Sequence, residues 1–493
     1  MTPLDQLSVA VKPSGVKFIR AAGIVVTAVL VALWFFAPAL VSLRAQWIAP
    51  TMFPTVETGR GFTVLAQAEH PGRSIEGIHA GIRWRILIPG VAWALALPAS
   101  LHLAAYPLGA VAAAAYASHI FCMSSQRTWL QLLAVLCLVT NAWFFTSFHW
   151  FGYADGWVCL GLLVVAFAHH RSPVLLCGLL LPWADDRFLI GIPAALAVAW
   201  TRRRHEPAAR SFESDCMFVA VAVSSIVLRV VIENVTGESS LMRFAAAWQP
   251  GSIATYAAAV WMCWRCIWLA VAAAFTTAHD RLGQAVWAAV VAGSFFAAML
   301  TNNDLSRAGV VLAPPVVLGL TSIMHWTRST SVLTAMCVGN LLLPATHVVV
   351  NVAIPIRSLP NELCRLSFPP PQFNAATHAR HAAAALRSGD VQEATRRLAV
   401  ARSIDPSHNA VAAMAAAVRF RIGDRAGAID QLRMRIREYP ADSESRAMLA
   451  IMAEAAGIPV ASEAMDGGNS TRETPAPWDA CACEWIEWLR FGR

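Results

Sequence analysis

The chain has 493 residues, of which 57% are hydrophobic and only 14% charged, with a mean hydropathy of +0.53. That balance excludes a soluble protein of this size and places most of the chain in lipid. The net charge of +8 does not point to nucleic acid, because the basic residues gather in loops between apolar segments rather than along one stripe.

A lipid core takes roughly 20 apolar residues per spanning helix. Stretches of that kind recur from Phe18 to about Pro355, which predicts an all-α fold whose residues 18–355 form a polytopic domain of about 9–11 membrane segments. Residues 1–17 read as a cytoplasmic N-terminus. The first apolar stretch, Phe18–Leu43, has no small-residue cleavage site after it and reads as an anchor rather than a signal peptide. Arg202, Arg203 and Arg204, with Arg210 close by, form the densest basic loop, which the positive-inside rule places in the cytoplasm with Arg127, Arg171, Arg281 and Arg328. Residues 44–85 then form a first external loop, 233–252 and 301–307 are external, and so is the C-terminal domain.

Ionisable residues in or beside these segments are the candidates for function, since charge in a membrane is costly. The first external loop carries Glu57, Glu69 and Glu76, and ends on Arg83-Trp84-Arg85-Ile86-Leu87-Ile88-Pro89. Its two arginines read either as interfacial anchors or as ligands of an anion such as phosphate. Asp155 follows among Trp150, Tyr153 and Trp157, as a helix N-cap or as a site residue. Asp185, Asp186 and Arg187 interrupt an apolar stretch. A helix broken at Pro182 lets these charges face a polar cavity, and an internal Asp186–Arg187 pair is the structural alternative. Asp304 sits in a short polar turn before Pro314-Pro315. Cys263 and Cys266 have redox spacing but lie within a predicted membrane helix, so they read as small hydrophobes. Cys364, Cys481 and Cys483 lie outside the apolar segments, where an oxidising compartment permits a disulfide.

After Pro355 the composition turns polar, and the Pro-rich residues 356–374 read as a stiff linker. Over residues 375–460 a repeat of period 34 appears in Gly389, Gly423 and Gly457, in Pro406 and Pro440, and in Ala394 and Ala428. With Ala382, Ala401, Ala416 and Ala450 at matching offsets, the segment resembles the tetratricopeptide repeat, with a departure at Arg435 where a small residue is usual. The resemblance implies a small α-solenoid that presents a concave surface to a protein partner, a peptide or a polymer, or that serves as a cap or spacer. Residues 461–493 form a flexible tail whose Trp478, Trp485 and Trp488 suit an interfacial helix or a cap on the repeats.

In order, the first-loop acid, the Arg83–Pro89 entry, Tyr153-Ala154-Asp155-Gly156 and the charged interruption Asp185-Asp186-Arg187 resemble the GT-C superfamily of membrane glycosyltransferases over about residues 18–355. That family's first-loop catalytic residue is most often Asp, and this loop has none; Glu57 takes its place. The resemblance implies transfer of a sugar from a polyprenyl-phosphate donor at the external face of a bacterial inner membrane, onto an envelope glycan, lipid or protein. Glu57 and Asp155 would be catalytic, and Arg83, Arg85, Asp185, Asp186, Arg187 and Asp304 would bind substrate. If residues 83–106 are interfacial or re-entrant, Asp155 is external as the family layout requires; if they span, it is cytoplasmic. No nucleotide-sugar motif, P-loop or zinc-ligand cluster occurs. A divalent metal at the acids stays open. The other readings are an O-antigen polymerase or ligase, which also uses polyprenyl-linked glycans, and a non-catalytic scaffold recruiting envelope proteins.

Overall fold

The structure is a computed structural model. It describes residues 15–40, 56–72, 83–150, 152–205, 210–235, 252–277, 281–301, 304–349, 352–367, 375–440 and 442–457. These fall into two compact units, one ending at Leu363 and the other beginning at Cys364.

The first unit opens with α1 (Gly15–Phe35), α2 (Val56–Glu69) and α3 (Leu87–Ala94). It continues through α4 (Ala99–Ser124), α5 (Thr128–Val139), α6 (Ala142–His149), α7 (Asp155–Phe167) and α8 (Arg171–Leu180). Then come α9 (Arg187–His205), α10 (Phe212–Val235), α11 (Ile253–Trp264), α12 (Trp268–Phe275), α13 (Arg281–Thr301), α14 (Ala313–Ile323) and α15 (Ser329–Leu342). Five segments are long and apolar enough to cross a membrane: Ala99–Ser124, Phe212–Ile232, Ile253–Phe275, Arg281–Thr301 and Leu305–Ile323. The pair α5 and α6 makes a sixth if its 66° bend lies within one span. The chain is therefore a multi-pass membrane protein. A count of 9–11 segments requires the shorter apolar helices as well, Asp155–Phe167 among them. At about 1.5 Å per residue such a helix ends within the membrane's depth, and so carries its first residue into the interior of the fold.

Three departures from straight helices position the site. Residues 83–106 are not one span: α3 is short, the chain turns at Ala96 with φ +49°, and the long α4 starts at Ala99. The break expected at Pro182 is present, as a 3-10 turn over Leu181–Trp183 between α8 and α9. Before α14 the chain runs as a 3-10 helix over Leu305–Leu312, every residue of it buried. Its Arg307 and Ser306 are thereby carried inside the fold.

Close helix crossings fix the rest. A Cβ on Gly156 would sit 2.1 Å from the backbone nitrogen of Ala110, and one on Gly319 only 1.6 Å from the carbonyl oxygen of Ala270. Small residues let membrane helices approach this closely, where dispersion contacts replace the hydrophobic drive available in water. By contrast α10 turns Val227, Leu228, Val230 and Val231 outward, as lipid allows.

The described residues are helical as expected, apart from one short hairpin. β1 (Thr346–Val349) and β2 (Val352–Pro355) form an antiparallel hairpin with His347 opposite Ile354. The β-branched run of Val348, Val349, Val352 and Ile354, between Pro344 and Pro355, favours extended backbone over helix. α16 (Leu359–Ser367) follows.

The second unit is a set of helical hairpins: α17 (Ala375–Arg387), α18 (Val391–Ile404), α19 (Asn409–Arg421), α20 (Arg425–Glu438) and α21 (Ser443–Ala456). α17, α19 and α21 start 34 residues apart, as do α18 and α20. Gly389 and Gly423, at φ +85° and +101°, make the turns within the hairpins, where an L side chain would be strained. Ala382, Ala394, Ala416 and Ala428 are fully buried in a seam with Leu386, Met414 and Leu432. Asp390, Asp424 and Asp442 cap α18, α20 and α21, accepting from the backbone N–H three residues on.

Candidate functional site

α7 begins at Asp155, but its carboxylate does not cap the helix. It turns into the first unit, where it is fully buried and takes up four contacts. Arg307 donates from Nε to Oδ2 at 2.5 Å and from Nη2 to Oδ1 at 2.9 Å. The Arg187 guanidinium lies 2.5 Å from Oδ1, and Thr146 donates its hydroxyl at 3.0 Å to Oδ2. Gly156 next to it lets α7 press onto α4, so the helix start cannot shift without a clash.

From Asp155 the charges alternate in both directions. Arg187, 1% exposed, also grips Asp185, with Nε to Oδ1 at 3.0 Å and Nη2 to Oδ2 at 2.8 Å. Arg85 reaches the same Asp185 at 2.8 Å. On the other side Arg307 bonds Asp304 while lying 3.8 Å over the Tyr153 ring. The order is Arg85, Asp185, Arg187, Asp155, Arg307, Asp304. Such alternation is what makes deep burial of ions tolerable, since each charge lost from water is repaid by two opposite neighbours.

Each end of this chain of charges is more open than its middle. At one end Asp186 is 34% exposed and contacts Arg85 at 3.4 Å and Arg229 from α10. The internal Asp186–Arg187 pair considered from sequence is therefore not formed; Arg187 turns to Asp185 and Asp155, and Asp186 to Arg85 and Arg229. At the other end Asp304 is 25% exposed and its Oδ1 lies 4.0 Å from His347 Nε2. Ser306 Oγ accepts from the Val348 N–H at 3.1 Å and shares a hydrogen bond with His347 Nδ1 at 2.8 Å. Burial is the main influence on this imidazole and pushes it down to about 3, so the ring is neutral at physiological pH. Burial alone would raise Asp304, but Arg307, then His347 and Arg187, outweigh it and hold the carboxyl below its ordinary value.

Arg60 in α2 stands beside this network without an acid of its own among the described residues. Its Nε donates to the Gly152 carbonyl at 3.3 Å, and its Nη1 is buried with no partner. Burial and the neighbouring Arg85 lower its guanidinium to about 10, still charged near neutral pH. Trp150 Nε1 and His347 Nε2 are likewise buried without a bonded partner among the described residues, and Trp150 meets the His347 ring edge-on at 3.9 Å. Among the described residues the site therefore holds more arginines than acids, and suits an anionic, acceptor-rich ligand.

Of the residues singled out from sequence, Asp155, Asp185, Asp186, Arg187, Asp304 and Arg85 come together in this network. Arg83 does not: its Nε donates to the Gly72 carbonyl at 2.7 Å and its guanidinium lies 5.0 Å over the Trp84 ring. Glu57 lies in α2, but its side chain is outside the described residues, as are all of Glu76 and the tryptophan-rich tail. Glu69 is exposed at the end of α2. Sequence reading missed Arg307, Arg60, Arg229 and His347. Arg307 had a signal, since it stands three residues after Asp304 in a span otherwise free of charge; His347 had none.

Cys263 and Cys266 do not form a redox pair. Arg265 between them has φ +49° and breaks the helix, and the Cys263 thiol turns to the Leu305 carbonyl at 3.7 Å. Among the described residues no group of three or more His, Cys, Asp or Glu side chains is placed to hold a metal ion, the acids being interleaved with arginines. No family model, curated protein or solved structure matches the chain.

Proposed function

We propose that the protein is a GT-C-like glycosyltransferase that moves a sugar from a polyprenyl-phosphate donor to a hydroxyl of an envelope acceptor at the external membrane face. The single observation that carries this reading is the buried network of arginines and acids with Asp304 partly open at one end, beside which the Arg60 Nη1 has no bonded partner among the described residues. A phosphate leaving group requires positive charge fixed in advance, in a place where water cannot screen it. The positive-inside assignment of Arg127, Arg171 and Arg202–Arg204 puts this end of the helices outside.

In this proposal the acceptor oxygen forms a bond to the sugar's anomeric carbon as the bond from that carbon to the phosphate oxygen breaks. The acceptor proton passes to a carboxylate, and the developing phosphate charge is met by Arg60 and Arg85. Asp304 suits the base: it is ionised at neutral pH, partly exposed, and has one oxygen facing the 4.0 Å gap to His347. Glu57 remains the second candidate. Asp155 is a positioning residue, because guanidinium and hydroxyl groups already occupy both of its oxygens. The C-terminal hairpins would be a tetratricopeptide-type solenoid that recruits a protein partner of the same envelope system. The deciding experiment compares envelope glycans by mass spectrometry in the gene deletion and in strains complemented with wild type or Asp304→Asn. Unaltered glycans in the deletion would refute the enzyme reading and favour the scaffold.

A further inference from the structure

The two carboxylates that follow one another in sequence, Asp185 and Asp186, have opposite situations. Asp185 is 1% exposed and locked between Arg187 and Arg85. Asp186 is 34% exposed and joins Arg85 to Arg229, two guanidiniums from different elements. α10 carries Arg229 between outward-facing Leu228 and Val230, and α3, which starts two residues after Arg85, turns Val91 and Trp93 outward. The open end of the ionic network is therefore flanked by apolar side chains turned outward.

We infer that Asp186 is a displaceable counterion: it holds Arg85 and Arg229 in place until a lipid-borne phosphate, arriving laterally between α3 and α10, takes its position between them. The idea rests on the transferase reading for the identity of the lipid and on geometry for the rest. Each guanidinium holds a different oxygen of Asp186, Arg229 on Oδ1 and Arg85 on Oδ2. Two oxygens sharing one negative charge are also what the non-bridging oxygens of a phosphodiester present, so a phosphate can replace the carboxylate contact for contact. Release is cheap at Arg85, whose contact to Asp186 is 3.4 Å while its contact to Asp185 is 2.8 Å. Arg85 therefore stays anchored when Asp186 leaves. In the empty state Asp186 shares its charge between the two arginines, which lowers the cost of holding them among apolar side chains. It also competes with substrate: the fraction of molecules with Asp186 in place lowers the observed affinity in proportion.

The test is binding of polyprenyl phosphate without sugar to the purified full chain in detergent or nanodiscs, with phosphatidylglycerol and inorganic phosphate as separate probes. Asp186→Asn is expected to bind polyprenyl phosphate more tightly than wild type, by about tenfold if the counterion occupies the site nine-tenths of the time. Arg85→Gln and Arg229→Gln are expected to bind it more weakly, and Asp186→Asn added to Arg229→Gln to restore nothing. Should Asp186→Asn fail to accumulate, Asp186→Ser carries the same comparison. Unchanged or weaker binding on loss of the Asp186 charge overturns the proposal, because a purely structural ion pair gives that sign. If phosphatidylglycerol shows the same pattern and polyprenyl phosphate does not, the counterion exchange stands and the lipid is a phospholipid. The transferase reading then loses its donor site. If sugar transfer is found but Asp186→Asn gains no affinity, the exchange alone fails.

Discussion

Asp155 and Arg307 are 152 residues apart in the chain and meet side-on, with two parallel contacts of 2.5 and 2.9 Å inside the membrane unit. That pair ties the start of α7 to the 3-10 segment before α14. Because Arg187 joins the same carboxylate, one acid holds together the elements that build the site.

As an external acid, Asp155 could be neutralised without harm to folding; buried, it cannot. Asp155→Asn removes one of the two acids that each of Arg187 and Arg307 holds, and breaking a buried pair of this kind costs about 3–5 kcal/mol. The expected outcome is a large fall in thermal stability and membrane yield, read by fluorescence-detected chromatography of a tagged protein. Asp304→Asn should lose transfer with a much smaller loss of yield, since Asp304 sits at the open end.

The His347 imidazole gives the stability a pH signature. Burial lowers its folded-state value to about 3, against about 6.5 when unfolded. Between these values the unfolded state holds the extra proton, so stability is full above about 6.5 and declines as pH falls toward 3, where the loss levels off. Asp304, also depressed, adds a loss only below its ordinary carboxyl range. Melting of the detergent-solubilised protein between pH 7 and 4.5 should therefore steepen downward in wild type and flatten in His347→Gln. Equal slopes would show that the ring is not buried neutral.

Much of this was legible in the chain. Apolar length revealed the membrane unit, Pro182 between apolar runs revealed the broken helix, and the 34-residue glycine spacing matches the helix starts at Ala375, Asn409 and Ser443. What sequence could not reveal was partner choice. Neighbouring Asp186 and Arg187 look like a pair, yet Arg187 takes Asp185 and, from α7, Asp155 as its partners. Arg85 and Arg83 look equivalent for the same local reason, and only the turn before α3 separates them. The departure at Arg435 also has a tertiary cause. Its side chain spans two repeats, donating to Asp442 at 3.1 Å and to the Ser407 carbonyl at 2.6 Å, a role that no small residue can fill.

Gly156 tests whether the site depends on the crossing of α4 and α7. An added methyl would fall 2.1 Å from the Ala110 nitrogen and 2.5 Å from its Cα, both backbone atoms that cannot rotate away. Gly156→Ala should cost at least the roughly 1–3 kcal/mol of overpacking, and should displace Asp155 along with its helix. Gly293→Ala, where nothing lies within 4 Å, is the matched control and should be neutral. Equal melting temperatures for the two variants would mean that the helices are not in contact.

Orientation decides whether the open end of the network faces the envelope or the cytoplasm. The basic residues Arg127, Arg171, Arg202–Arg204 and Arg328 lie beside the opposite helix ends from Asp155, Asp185 and Asp304, so the positive-inside rule puts those acids at the outer side. The hairpin β1–β2 follows the last apolar helix, α15, and the repeats follow it without another apolar segment among the described residues. They should therefore share the compartment of the site. In a chain cleared of native cysteines, single cysteines at exposed Ser388 and Arg425 should react with a membrane-impermeant maleimide in intact cells, and one at exposed Arg171 only after permeabilisation. The reverse pattern would put the donor surplus on the cytoplasmic side, where polyprenyl-phosphate sugars of the external leaflet cannot reach it, and the proposed transfer could not take place.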